Sequence, residues 1–162
     1  MRLFRSRKKW SAAILGAAAI GTFAAVALGS MAFDFTATTL VTGNLVDRVD
    51  VSHDGIKLQT NRHSLVRVQK VVIGPGGYSG WHHHPGIVIV TVESGAVTFT
   101  QADCSSKTYG PGLPAGAVFV EASDSPGQAS SVGGATLYAT FVVPQTNPAV
   151  FRVEDDPPPH CR

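Results

Sequence analysis

The chain has 162 residues, enough to bury one hydrophobic core. Its formal charge of +2 conceals an asymmetry, because residues 1–32 hold five basic side chains and no acid, leaving eight basic against eleven acidic residues in 33–162. The remainder is mildly acidic, which argues against the basic face that nucleic-acid binding needs, and 17 glycines with 10 prolines suit many short strands and turns.

Residues 1–10 are basic, and residues 11–29 carry no charge and are mostly small and apolar. Ser30-Met31-Ala32 then puts small residues at the −3 and −1 positions of a cut after Ala32. This is the layout of a secretory signal peptide. The rival reading is an uncleaved hydrophobic helix that anchors the chain through residues 11–32, since a span needs roughly 20 apolar residues. Under the positive-inside rule both readings place the chain after residue 33 outside the cytoplasm, secreted or in the cell envelope. Cys104 and Cys161 both lie in that exported part. An even count in an oxidising compartment predicts one disulfide, with two free thiols as the alternative.

Residues 33–37 read as a flexible lead-in, Thr38 to Val41 and Ile56 to Gln59 as short strands, and Ser64 to Ile73 as a longer strand. In that strand Val66 and Val68 share one face, and Arg67 and Gln69 are expected on a solvated one. Gly74 to Gly77 is predicted as a turn and His82 to Val92 as strand material broken by Pro85-Gly86. Ser94-Gly95 reads as a tight turn into a hairpin partner over Ala96 to Gln101. Lys107 to Tyr109, Ala117 to Glu121 and Ala135 to Val143 read as strands, with an edge strand over Ala149 to Val153 and a polar loop over Ser123 to Gly134. No stretch after residue 33 has a helical period over 11 residues, so the fold class is all-β, a sandwich or barrel.

Trp81-His82-His83-His84-Pro85-Gly86 concentrates three of the six histidines. In a strand, residues two apart share a face, so His82 and His84 point one way and His83 the other. Two imidazoles on one face begin a metal site or an acid/base pair.

These residues resemble the first cupin motif: a glycine, five residues, His-x-His, three or four residues, Glu, six residues, Gly. Gly76, His82, His84 and Gly95 fit every spacing, with Val88 at the glutamate position. The second cupin motif, counted from Gly116, finds Ala122, Asp124, Gly127 and Ser131 at its Pro, Gly, His and Asn positions, and one inserted residue brings Gln128 to the histidine position. The placement of Cys104 and Cys161 is similar to a group of small exported bacterial cupins of unassigned function. The resemblance implies a double-stranded β-helix, a jelly-roll barrel over residues 64–153, after N-terminal strands in 33–63 and before a proline-rich tail, 154–162, tied by the disulfide. It also implies that His82 and His84 point inward and bind a divalent metal (Fe, Mn, Zn or Ni), with Gln128 as a third ligand. Further donors are His53, His63, His160, Glu121 and Asp124, none of which the sequence places in the barrel. Three functions stay open: a metal-dependent oxygenase or isomerase on a small molecule, a non-catalytic ligand-binding barrel, and a structural envelope module. Pairing through outer strands into a homodimer is expected by the same analogy.

Overall fold

The computed structural model describes residues 30–122 and 124–161, so residues 1–29 of the expected signal or anchor segment lie outside the described residues. Among the described residues no helix is long and apolar enough to cross a membrane. The described residues run through twelve strands: β1 (Phe33–Leu45), β2 (Val49–His53), β3 (Ile56–Thr60), β4 (Ser64–Tyr78), β5 (His82–His83), β6 (Ile87–Gly95), β7 (Val97–Gln101), β8 (Ser106–Tyr109), β9 (Val118–Glu121), β10 (Gly127–Ser131), β11 (Ala135–Pro144) and β12 (Val153–Glu154). Ten of them form one sheet, and β2 and β3 form a separate two-stranded ribbon.

The large sheet divides into two runs. One is β1-β4-β11-β6-β9, and the other is β8-β7-β10-β5-β12. The far end of β4 joins them, where Tyr78 and Gly77 pair with Ser130 and Ser131 of β10. Alternation sends Val88, Val90 and Val92 of β6, and Leu137, Ala139, Phe141 and Val143 of β11, to the buried side. Burying such a side chain contributes roughly 1.5–3 kcal/mol, so this inward stripe holds the two runs together.

Four expectations are corrected. Residues 33–37 are ordered strand, because β1 pairs with β4 along nearly its whole length. Gly74–Gly77 continues β4 rather than turning. A Cβ on Gly74 would lie 1.7 Å from the Asp34 carboxylate, so the missing side chain admits β1 at that point. Residues 94–95 do not close a hairpin: β6 pairs with β11 and β9, while β7 pairs with β10 and β8. Gly95 has φ 77°, a backbone conformation that carries the chain from one run to the other and that only glycine adopts cheaply. Finally, the expected loop over 123–134 contains β10, whose Gly-Gln-Ala-Ser-Ser sequence carries little strand signal and is held by pairing with β7.

Arg67 and Gln69 also depart from the expected solvated face. With Val71 and Ile73 they line the interior cavity. Their partners come from β1, where the register slips between Thr39 and Val41. That extra residue lets Thr39 and Thr42, three apart, both face β4's inner side. Gln69 Nε2 donates to Thr39 Oγ1 and Arg67 Nε to Thr42 Oγ1, each at 3.1 Å.

The disulfide joins Cys104 to Cys161 across a separation of 57 residues. The loop-closure model assigns such a link about 4 kcal/mol. A Cys104→Ser/Cys161→Ser protein is therefore expected to unfold at lower urea concentration, with a loss of about 2–5 kcal/mol by chemical denaturation.

Candidate metal centre

The short strand β5 begins where Gly80, at φ 72°, turns the chain inward. His82 and His84 are 5% and 6% exposed, while His83 turns away and bonds Asp155 Oδ2 through Nδ1 at 2.8 Å. The predicted alternation of the three histidines is therefore present. His82 Nδ1 faces the Gly80 carbonyl at 2.9 Å, and His84 Nδ1 faces the Phe151 carbonyl. A carbonyl only accepts, so each Nδ1 carries a proton, and in the neutral ring Nε2 is the nitrogen that keeps a lone pair. Both Nε2 atoms point at one carboxylate oxygen: Glu121 Oε2 lies 3.4 Å from His84 and 4.0 Å from His82. The ligand atoms of the three residues all lie within 4.8 Å of one another.

The surroundings hold this geometry. Ser79 Oγ donates to the Gly80 carbonyl at 2.8 Å and accepts from Ala129 N at 2.9 Å, tying the turn before His82 to β10. Arg152 Nη2 donates to the Ser79 carbonyl at 2.6 Å and pairs with Glu154. The His84 ring meets Phe141 edge-on at 5.2 Å. Burial, reinforced by the positive charge of Arg152, lowers the His82 pKa from 6.5 to about 4, against the opposing pull of Glu121. His82 is thus neutral at pH 7, the form in which imidazole binds a metal.

The cluster lies on the wall of an interior cavity of about 220 Å³, whose other walls are mostly apolar, including Phe35, Phe119, Phe141 and Phe151. A second hollow of about 260 Å³, floored by Phe99, Gln101 and Pro126, reaches the same three residues. The triad therefore forms part of both walls.

No family model matches the sequence, and no curated protein matches it. Among solved structures, the DMSP lyase DddQ from Ruegeria pomeroyi superposes with TM-score 0.50 at 15% identity, over 76% of this chain and 53% of the lyase. The chain has the cupin fold. A conserved protein of unknown function from Streptococcus pyogenes aligns with TM-score 0.48 at 20% identity, over 69% of this chain and 76% of that protein. Salicylate 1,2-dioxygenase from Pseudaminobacter salicylatoxidans aligns with TM-score 0.40 at 17% identity, over 46% of this chain and 20% of the enzyme. The chain thus spans about half the length of the lyase and a fifth of that of the dioxygenase.

Within the cupin barrel, the register explains the irregular motif. Val88, at the motif's glutamate position, pairs directly with Glu121 of β9. Cross-strand partners hold their Cβ atoms about 4.5–5.5 Å apart on one face. A carboxylate absent from position 88 thus stands beside it, on the next strand. Glu121 ends an otherwise apolar strand, Val118-Phe119-Val120-Glu121, and that isolation is the signal that could have singled it out. Gln128 lies on β10 between Gly127 and Ala129, which are buried and line the hollows, and pairs with Thr100 of β7. It lines neither hollow. The other candidate donors stay apart: His53 sits on the exposed ribbon beside Asp54, His63 and Asp124 are exposed, and His160 bonds the Ala102 carbonyl.

The His82 shift makes stability pH-dependent. Between pH 6.5 and about 4 the unfolded chain binds a proton that the folded one refuses, so stability falls as pH falls through that window and levels off below it. The expected loss is roughly 3 kcal/mol. Urea titrations of chelator-treated protein at pH 7 and pH 4 check it, and His82→Gln is expected to flatten the slope.

Proposed function

We propose that this protein is an extracytoplasmic cupin that holds one divalent metal on His82, His84 and Glu121 and acts on a small organic molecule in the adjoining cavity. The observation carrying this reading is the convergence of two lone-pair-bearing Nε2 atoms on a carboxylate inside a barrel of matching fold. Two imidazoles and one carboxylate form a donor set that suits a first-row divalent ion and leaves positions open. Both Nδ1 positions are spent on carbonyls, which leaves the Nε2 side of each ring for an ion.

Each residue has a task in this reading. The Gly80 and Phe151 carbonyls fix the imidazole tautomers and raise ring basicity. Glu121 offsets part of the ion's charge. Ser79 and Arg152 brace the turn that carries His82. The apolar walls exclude water, which strengthens every electrostatic interaction at the centre. A bound ion would act there as a Lewis acid and lower the pKa of coordinated water. The basic leader, the apolar segment after it and the disulfide support export.

The protein purified without a histidine tag is expected to carry about one metal per chain by elemental analysis. His82→Ala/His84→Ala and Glu121→Val are each expected to lose it. The exchange Val88→Glu/Glu121→Val returns the carboxylate to the partner strand and is expected to restore metal binding. Unchanged metal content in Glu121→Val removes Glu121 from the site, and a metal-free native protein ends the reading.

A further inference from the structure

The cavity wall holds two guanidinium groups, and they differ in one respect. Arg152 is neutralised by a two-pronged pair with Glu154. Arg67 has no carboxylate within ion-pair distance among the described residues. Its Nε is occupied by Thr42, and its Cζ lies 3.4 Å from the centroid of the Phe151 ring. A guanidinium has five N–H donors in a planar fork. The ring contact and the bond through Nε orient that plane, and the two NH₂ groups of its outer edge have no hydrogen-bond partner among the described residues.

The fork is held in place from several sides. The slip between Thr39 and Val41 brings Thr39 and Thr42 onto Gln69 and Arg67. Arg67 is half-buried on a mostly apolar cavity, where a positive charge without a counter-ion is costly. The chain of contacts from Arg67 leads through Phe151 and Phe141 to His84. Cation fork, aromatic wall and metal centre thus line one space of about 220 Å³.

We infer that the cavity takes a small monocarboxylate with an apolar body, its carboxylate received by Arg67 and its body lying along Phe141 and Phe151. The inference rests on the proposed use of this cavity for a small molecule, but not on the metal. Charge opposes it in neither state. Arg67 and Glu121 cancel in the metal-free site, so a monoanion there meets no net opposition, and a bound divalent ion leaves an excess of positive charge. A fork of this kind gives carboxylates two parallel hydrogen bonds, which a neutral alcohol of the same shape cannot match.

Calorimetric titration of the full protein tests this with benzoate and hexanoate against benzyl alcohol and hexanol, on metal-loaded and chelator-treated samples of measured metal content. At least one acid is expected to bind about tenfold or more tighter than its alcohol. Arg67→Met is expected to abolish that preference with metal content unchanged. Thr42→Val, which keeps the charge and frees the fork, is expected to weaken the acid several-fold. Thermal melting identifies an unfolded variant, and Thr42→Val then carries the test. Equal binding of acid and alcohol, no binding of either acid, or an acid preference that survives Arg67→Met overturns the inference. Metal content reads the other proposal separately: a metal-free protein that still prefers the acid through Arg67 loses the metal and keeps the ligand class.

Discussion

Two hydrogen bonds decide what the interior of this barrel can do. His82 and His84 each give a ring proton to a backbone carbonyl, at Gly80 and Phe151. Without those acceptors the rings could rotate or change tautomer, and the lone pairs would not converge on Glu121. Each carbonyl is itself held: Gly80 by Ser79 within the turn, and Phe151 within a segment whose continuation pairs with β5. Much of the architecture around β5 therefore serves to keep two imidazoles aimed at one point.

The histidine pair was readable because strand alternation is short-range: His82-x-His84 shares a face whatever lies elsewhere. The carboxylate was not readable in the same way. Val88 and Glu121 are 33 positions apart, and only the pairing of β6 with β9 makes them neighbours. A spacing motif records positions along one strand, so it registers the loss at 88 and misses the gain across the ladder. The same limit hid the crossing at Gly95. Ser94-Gly95 has the composition of a hairpin turn, and whether the next strand folds back or crosses over depends on partners in β10 and β11.

Arg67 shows a different limit. Alternation placed it opposite Val66 and Val68 in phase, but which face of β4 is inside is a global property. The outward residues of the same sheet include Val72, Ile87, Ile89, Val118 and Val120, all more than 40% exposed. The inner face of this strand mixes Arg67 and Gln69 with the buried Leu65, Val71 and Ile73, while Val66 and Val68 take the other face. A hydrophobic pattern does not reveal that two polar residues share the inner face, and both line the cavity.

The wall of the metal centre is completed by a segment made late. Residues 151–155 supply the acceptor for His84, the arginine that braces the turn before His82 and the strand that pairs with β5, and they follow every other strand in the sequence. During synthesis the barrel strands emerge first, with both imidazoles and the carboxylate present but His84 still without its acceptor. The paired orientation of the two rings thus depends on the docking of that closing segment, and the disulfide between Cys104 and Cys161 ties the chain just beyond it to the body. Formation of the complete three-residue cluster is thus tied to the docking of the chain's C-terminal part.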